Sequence, residues 1–163
     1  MTDTPALRDP RLEALPHRVV RHGPVSSLAD AAEARGIRPD QVIKTMLVRR
    51  GDDDYVFVLV PGDRVISWPK LRRHLGVNRA TMPDAEEARA VTGYRRGTIT
   101  PLGSNRALPV IADERVRGEV SIGGGDHGVS LTVSGEALID VLEATIGDVT
   151  SVEERISPQR PSR

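Results

Sequence analysis

The sequence predicts the α+β class: one mixed domain with a central, mostly antiparallel sheet and helices around it. Three observations carry this. At least five short runs rich in Val, Ile and Leu are bounded by turn formers, as strands are. Between them stand segments of good helix formers that open on Ser or Asp and close on Gly. The two kinds of segment are joined by several hairpin-like links, without the regular strand–helix alternation of a doubly wound nucleotide fold. A length of 163 residues suits one domain with a single core.

The elements follow in order. His17–His22 (HRVVRH) reads as a short strand. Ser26 or Ser27 then offers a side-chain oxygen to the free N–H groups of a helix over LADAAEAR, and Gly36 supplies the left-handed residue that ends it. Gln41–Arg50 and Tyr55–Val60 are strands joined by the turn GDDD, and Pro61-Gly62 ends the second. Ser67 caps a short helix through Leu75 that Gly76 closes, and Asp84 caps another, DAEEARAV, closed by Gly93. After an irregular stretch, GYRRGTITPLG, strands are expected at Leu108–Ala112, Glu119–Ile122 and Val129–Val133, the last two separated by GGGDHG. Ser134 caps a final helix expected to run the length of GEALIDVLEATIG. The domain is expected over residues 15–152, with flexible ends at 1–14 and 157–163, where Pro, Arg and Ser accumulate.

Composition narrows the function. With one Trp, one Phe and two Tyr, the core is aliphatic and there is no broad base-stacking platform of the kind single-strand binders use. The absence of cysteine excludes disulfides, thiolate nucleophiles and Cys-ligated zinc. His17, His22, His74 and His127 lack ligand spacing, so neither a metal nor a cofactor is expected. No run of about 18 apolar residues exists to span a membrane, the N-terminus lacks the apolar segment of a signal peptide, and the cytoplasm is the expected location. Basic and acidic residues balance at 23 each, which argues against a DNA binder. Neither a GxSxG elbow nor a Walker A loop occurs.

Three features can carry chemistry. Period-two alternation sets Lys44 on one face with Val42, Met46 and Val48, and Ile43, Thr45 and Leu47 on the other. A lysine among apolar neighbours is either an edge-strand charge that discourages aggregation or a functional cation that meets a phosphate or acts as a base. The stretch Gly93–Gly103 holds three glycines and a proline; Gly97 lets backbone N–H groups approach a ligand, and successive N–H groups can cradle an oxyanion, though an ordinary connecting loop has the same composition. In Gly123–Gly128, glycines mean a hairpin or a close backbone approach, with Asp126 and His127 as acid–base candidates or plain surface residues. Two basic clusters, Arg95, Arg96 and Arg106 around the first glycine loop and Lys70, Arg72, Arg73 and His74 elsewhere, are solvated faces or phosphate contacts.

The order of these features resembles the YbaK / prolyl-tRNA synthetase-associated editing domain family. HGPVSSLADAAEARGIRPDQVIKTMLVRR is similar to its opening, where a helix after a His-x-Pro segment precedes a strand with an invariant lysine. TGYRRGTITPLG is similar to its glycine–Ser/Thr–Pro loop, and GGGDHGVSLTVSGEALIDVL to its last strand and helix, so the likeness covers roughly residues 15–150. It implies a partly barrel-like central sheet and hydrolysis of the ester of a mischarged tRNA, chiefly tRNA(Pro) carrying Ala, Cys or Ser. It implies Lys44, Gly97, Thr98 and Thr100 as catalytic positions, and His22, Met46, Ile99, Pro101, Gly124 and His127 against the substrate. Lys70, Arg72, Arg73, Arg95 and Arg96 become candidates for the tRNA, whose acceptor end is the expected partner together with prolyl-tRNA synthetase. Thr98 stands where relatives have a second glycine, and Ser134-Gly135-Glu136 replaces a proline-led helix start. A noncatalytic module of the same fold that docks on tRNA or on a synthetase is the rival from another class.

Such chemistry has a physical motive. A pocket made for proline discriminates against a smaller amino acid by only about 1–3 kcal/mol per methylene, so a second hydrolytic site is needed. With no nucleophilic triad in the sequence, direct attack by water or participation of the tRNA 2′-hydroxyl is expected.

Overall fold

The computed structural model describes residues 3–152. Nine strands and four α-helices are seen among them. The strands are β1 (His17–Arg21), β2 (Val42–Gly51), β3 (Asp54–Pro61), β4 (Arg64–Ile66), β5 (Val110–Asp113), β6 (Glu119–Gly123), β7 (Val129–Ser134), β8 (Thr145–Gly147) and β9 (Thr150–Val152). The helices are α1 (Leu28–Arg35), α2 (Trp68–Leu75), α3 (Ala85–Thr92) and α4 (Gly135–Leu142). Seven strands form one sheet in the order β1-β7-β6-β2-β3-β5-β8, and β4 pairs with β9 beside it. Among the described residues, no helix is long and apolar enough to cross a membrane.

The α+β reading holds, with a mixed sheet. Three neighbouring pairs of the large sheet are antiparallel (β1/β7, β7/β6, β2/β3) and three are parallel (β6/β2, β3/β5, β5/β8). The antiparallel emphasis came from the hairpin links, which are local. The parallel pairs join strands distant in sequence and leave no short-range signal.

The β2/β3 hairpin is the platform of the fold. The run YVFVLV is apolar without interruption because β3 is buried on both faces. Tyr55, Phe57 and Leu59 enter one hydrophobic cluster, and Val56, Val58 and Val60 enter a second with Leu71 of α2 and Ile111 of β5. Full burial of such a side chain stabilises by about 1.5–3 kcal/mol, so this hairpin is a rigid support for what β2 carries. The helix caps are as read at Ser27, Asp84 and Ser134, whose side chains accept from Asp30 N, Glu87 N and Ala137 N. Ser67 occupies the N-cap of α2 without a side-chain bond; Pro69 in the first turn removes one N–H that would need a partner.

Two stretches differ from expectation. Residues 3–14, assigned to a flexible end, form 3-10 turns at Ala6–Arg8 and Pro10–Ala14. Ala6, Leu12 and the following Leu15 are buried in the main core, which holds the segment in place. At the other end the final helix stops at Leu142, where Glu143 takes a left-handed φ of 53°, and residues of the expected helix become β8. The β-branched Thr145 and Ile146 pair in parallel with β5, a long-range gain that outweighs a further helical turn. The expected flexible tail, 157–163, lies outside the described residues.

Candidate active site

The site begins where two strands part. β2 and β6 are paired only at Val42–Ser121 and Ile43–Ile122. Beyond that point a cavity of about 300 Å³ is walled by β2 residues 42–47, by Gly123 at the end of β6, and by Arg96, Gly97 and Ile99 of the glycine-rich loop. Arg35 at the end of α1 closes another side, and Met82 and Pro83 before α3 complete an otherwise apolar wall. Every charged residue on the wall is a cation: Arg35, Lys44 and Arg96. In a chain with no net charge, such a wall selects an anionic ligand.

β2 lies between β6 and β3, so Lys44 is not on an outer strand, but it stands where β6 has just parted from β2. It sits opposite Val60 in the hairpin, half-buried, and its Nζ donates to the Arg64 carbonyl at 2.7 Å. That carbonyl holds the ammonium at the cavity wall. Met46 also lines the cavity and packs against the second hydrophobic cluster.

Arg35 is the residue the sequence reading missed. Its Nη1 donates to Ser121 Oγ at 3.2 Å, while Nε is buried with no hydrogen-bond partner among the described residues. Burial pulls the guanidinium below its ordinary pKa, although it stays protonated at neutral pH. Thr45 Oγ1, on the same wall, is likewise buried without a partner. Both atoms are shielded behind the cavity wall, and a buried donor left unmet costs about 1–3 kcal/mol. A signal did exist: Leu28, Ala32 and Arg35 fall at i, i+4 and i+7, so Arg35 continues the inward stripe of α1.

The loop is a tight turn. Arg95 O accepts from Thr98 N at 2.9 Å, and Gly97, in the third position, has φ +88°. That is the glycine position of a type II turn. The hydroxyls expected to be catalytic are turned to the loop itself. Thr98 Oγ1 donates to Arg95 O at 2.7 Å and Thr100 Oγ1 accepts from Leu102 N at 3.3 Å, with both side chains buried and neither on the cavity wall. The Thr98 N–H is engaged as well. The amides of Gly97 and Ile99, both at the cavity, donate to nothing among the described residues. The oxyanion-cradling potential expected of the loop therefore narrows to these two donors.

The other expected residues divide. Pro101 is buried, and its carbonyl accepts from Arg11 Nη2 at 3.1 Å. Gly124 is a hairpin residue, where an added Cβ would stand 2.6 Å from Val129 Cγ1. His22 and His127 line an adjoining hollow of about 310 Å³; His22 Nε2 is buried without a partner among the described residues, and His127 Cε1 lies 3.6 Å from where a Cβ on Gly97 would be. Exposed Arg95 and Arg96 flank the turn at the mouth. Lys70 is committed to Asp148 at 3.0 Å and to the Thr150 carbonyl at 3.1 Å, so it pins β9 to α2, and Arg72 and Arg73 do not line the cavity.

Residues 22–141 match the aminoacyl-tRNA editing domain family. A protein of Enterococcus faecalis described as the Cys-tRNA(Pro)/Cys-tRNA(Cys) deacylase EbsC is 23% identical over 129 residues, 78% of this chain and 79% of its own. The proline–tRNA ligase of Heliobacterium modesticaldum is 35% identical over 107 residues, which are 66% of this chain and 18% of the ligase. The chain thus spans under a fifth of that enzyme. A crystal structure described as a trans-editing enzyme for prolyl-tRNA synthetase superposes with a TM-score of 0.79 at 24% identity, over 92% of this chain and 99% of the other, which shows the shared fold.

Proposed function

Since the chain belongs to the aminoacyl-tRNA editing domain family, we propose that it is a trans-acting deacylase that hydrolyses the ester of tRNA(Pro) mischarged with a small amino acid, Ala, Cys or Ser. The observation that carries this is the cavity whose only charges among the described residues are Arg35, Lys44 and Arg96, and whose rim offers two amides, Gly97 and Ile99, that donate to none of those residues. An aminoacyl-tRNA end has the complementary parts: a phosphodiester for the cations and an ester carbonyl for the amides. Water attacks the carbonyl carbon and gives up a proton, which the vicinal 2′-hydroxyl of the terminal ribose can relay to the departing oxygen. The carbonyl oxygen becomes an oxyanion facing Gly97 and Ile99, and collapse of the intermediate expels the ribose oxygen, which takes up a proton. Lys44 supplies positive charge to the acceptor end or to the developing oxyanion. The named relatives support tRNA(Pro) and prolyl-tRNA synthetase as partners.

The test is Lys44→Ala. The Arg64 carbonyl loses one donor, worth about 0.5–1.5 kcal/mol net, so the fold survives while deacylation of Ala-tRNA(Pro) falls by about 10²–10³. A folded variant with wild-type turnover would make Lys44 structural and sink the mechanism.

A further inference from the structure

Resting on the reading of the glycine-rich loop as the ester-facing element, we infer that residues 3–15, which precede the matched family segment, act as a strap that positions that loop, with Asp9 as its positioning residue. The strap reaches both glycine loops from behind. Thr4 Oγ1 donates to the Gly124 carbonyl at 2.6 Å. The Asp9 carboxylate accepts from Gly103 N at 2.8 Å, from Arg11 N at 2.8 Å and from Arg11 Nη2 at 2.7 Å. Arg11 Nη2 also donates to the Pro101 carbonyl at 3.1 Å. The two backbone groups that end the loop, Pro101 C=O and Gly103 N–H, are therefore both held by one ion pair.

The approach is close enough to exclude alternatives. Gly103 has φ +68°, and a Cβ there would come within 2.4 Å of the Pro5 backbone, so only glycine admits the strap. Tyr94, buried between strap and loop, donates its hydroxyl to the Leu102 carbonyl at 2.7 Å. Burial and then the Asp9 charge push its pKa up to about 12, so it stays a donor. The strap contributes no group to the cavity wall, and Asp9 acts through the loop. What it fixes is the direction in which the Gly97 and Ile99 amides point, and a misplacement of about 1 Å can cost 10²-fold in rate.

The experiment pairs Asp9→Asn with Arg11→Lys, measured for kcat and KM on Ala-tRNA(Pro) and for amide hydrogen exchange across residues 95–105. Asparagine keeps the shape and loses the charge; lysine keeps the charge and loses the reach to the Pro101 carbonyl, and circular dichroism reports that each variant is folded. The expected result is faster exchange in the loop, a kcat lower by about tenfold to a hundredfold, and a KM within twofold. Folded variants with wild-type kcat overturn the inference, as does a fall in kcat with loop exchange unchanged. If the wild-type protein itself leaves every charged tRNA intact, the deacylase reading fails first; exchange alone then still reports whether the strap holds the loop.

Discussion

Gly97→Ala separates the loop's shape from its chemistry. The side chain would have room, since the added Cβ lies 3.6 Å from its nearest neighbour, His127 Cε1. The cost comes from the backbone: at φ +88° an alanine is disfavoured by about 1–2 kcal/mol. For a domain of this size that lowers Tm by about 2–8 °C. The strain has an obvious relief. Rotating the Arg96–Gly97 peptide converts the type II turn to type I and brings residue 97 to negative φ. That rotation also turns the residue 97 N–H away from the cavity. Loss of one oxyanion donor lowers kcat by about 10²–10³, far more than the stability change can account for at 25 °C. The assay is single-turnover deacylation of Ala-tRNA(Pro) beside a thermal melt. A variant with the small Tm shift and undiminished kcat would refute the role given to the Gly97 amide.

Three further outcomes follow from the geometry. Arg35→Met keeps the stem and removes the fork, so KM for charged tRNA rises about tenfold, the worth of one charge-assisted hydrogen bond, with kcat within twofold; an unchanged KM removes Arg35 from the binding site. Thr98→Gly loses the bond to Arg95 O and costs about 1–2 kcal/mol by urea unfolding, yet leaves the relative rates on Ala-, Cys- and Ser-tRNA(Pro) unaltered, because Thr98 is not on the cavity wall; a change in those proportions would return it there. Acid releases the strap. Burial alone raises the Asp9 pKa, but the Arg11 guanidinium and the Arg11 and Gly103 amides outweigh it and hold the folded value below the ordinary one. A depressed carboxylate adds stability above its unfolded pKa, about 3.9, and loses it as pH falls through the folded value. Loop protection, as exchange relative to the intrinsic rate at each pH, should therefore fall below about pH 4 in the wild type and show no such step in Asp9→Asn; identical protection profiles would contradict this.

Local chemistry was legible in the sequence where local rules decide. The caps at Ser27, Asp84 and Ser134, the stops at Gly36, Gly76 and Gly93, and the YVFVLV strand all follow from propensity and patterning. What depended on distant partners was not. β4 and β9 have three residues each and exist through each other, while β8 takes residues with helical neighbours because β5 offers an edge. Asp113, fully buried, gathers Val149 N and Thr150 Oγ1, and no sequence pattern links those positions. In the site, Lys44 and the glycine loop stood out as residue types. The identity of the available amides, the inward turn of Thr98 and Thr100, and the unmet Arg35 Nε are facts of orientation, which spacing alone does not carry. The strap was misread because its few apolar residues, Ala6, Leu12 and Leu15, lie in a stretch of Pro and charge and are anchored only by tertiary contacts.

The cavity beside β2 is proposed to hydrolyse mischarged tRNA. The most direct test is release of labelled amino acid from tRNA(Pro) carrying Ala, Cys, Ser or, as control, Pro, with the wild-type protein in EDTA. At least one small mischarged amino acid is expected to be released, unaffected by the chelator, with Pro-tRNA(Pro) left intact. Tight binding of these tRNAs with no release from any of them would contradict it and make the protein a binding module.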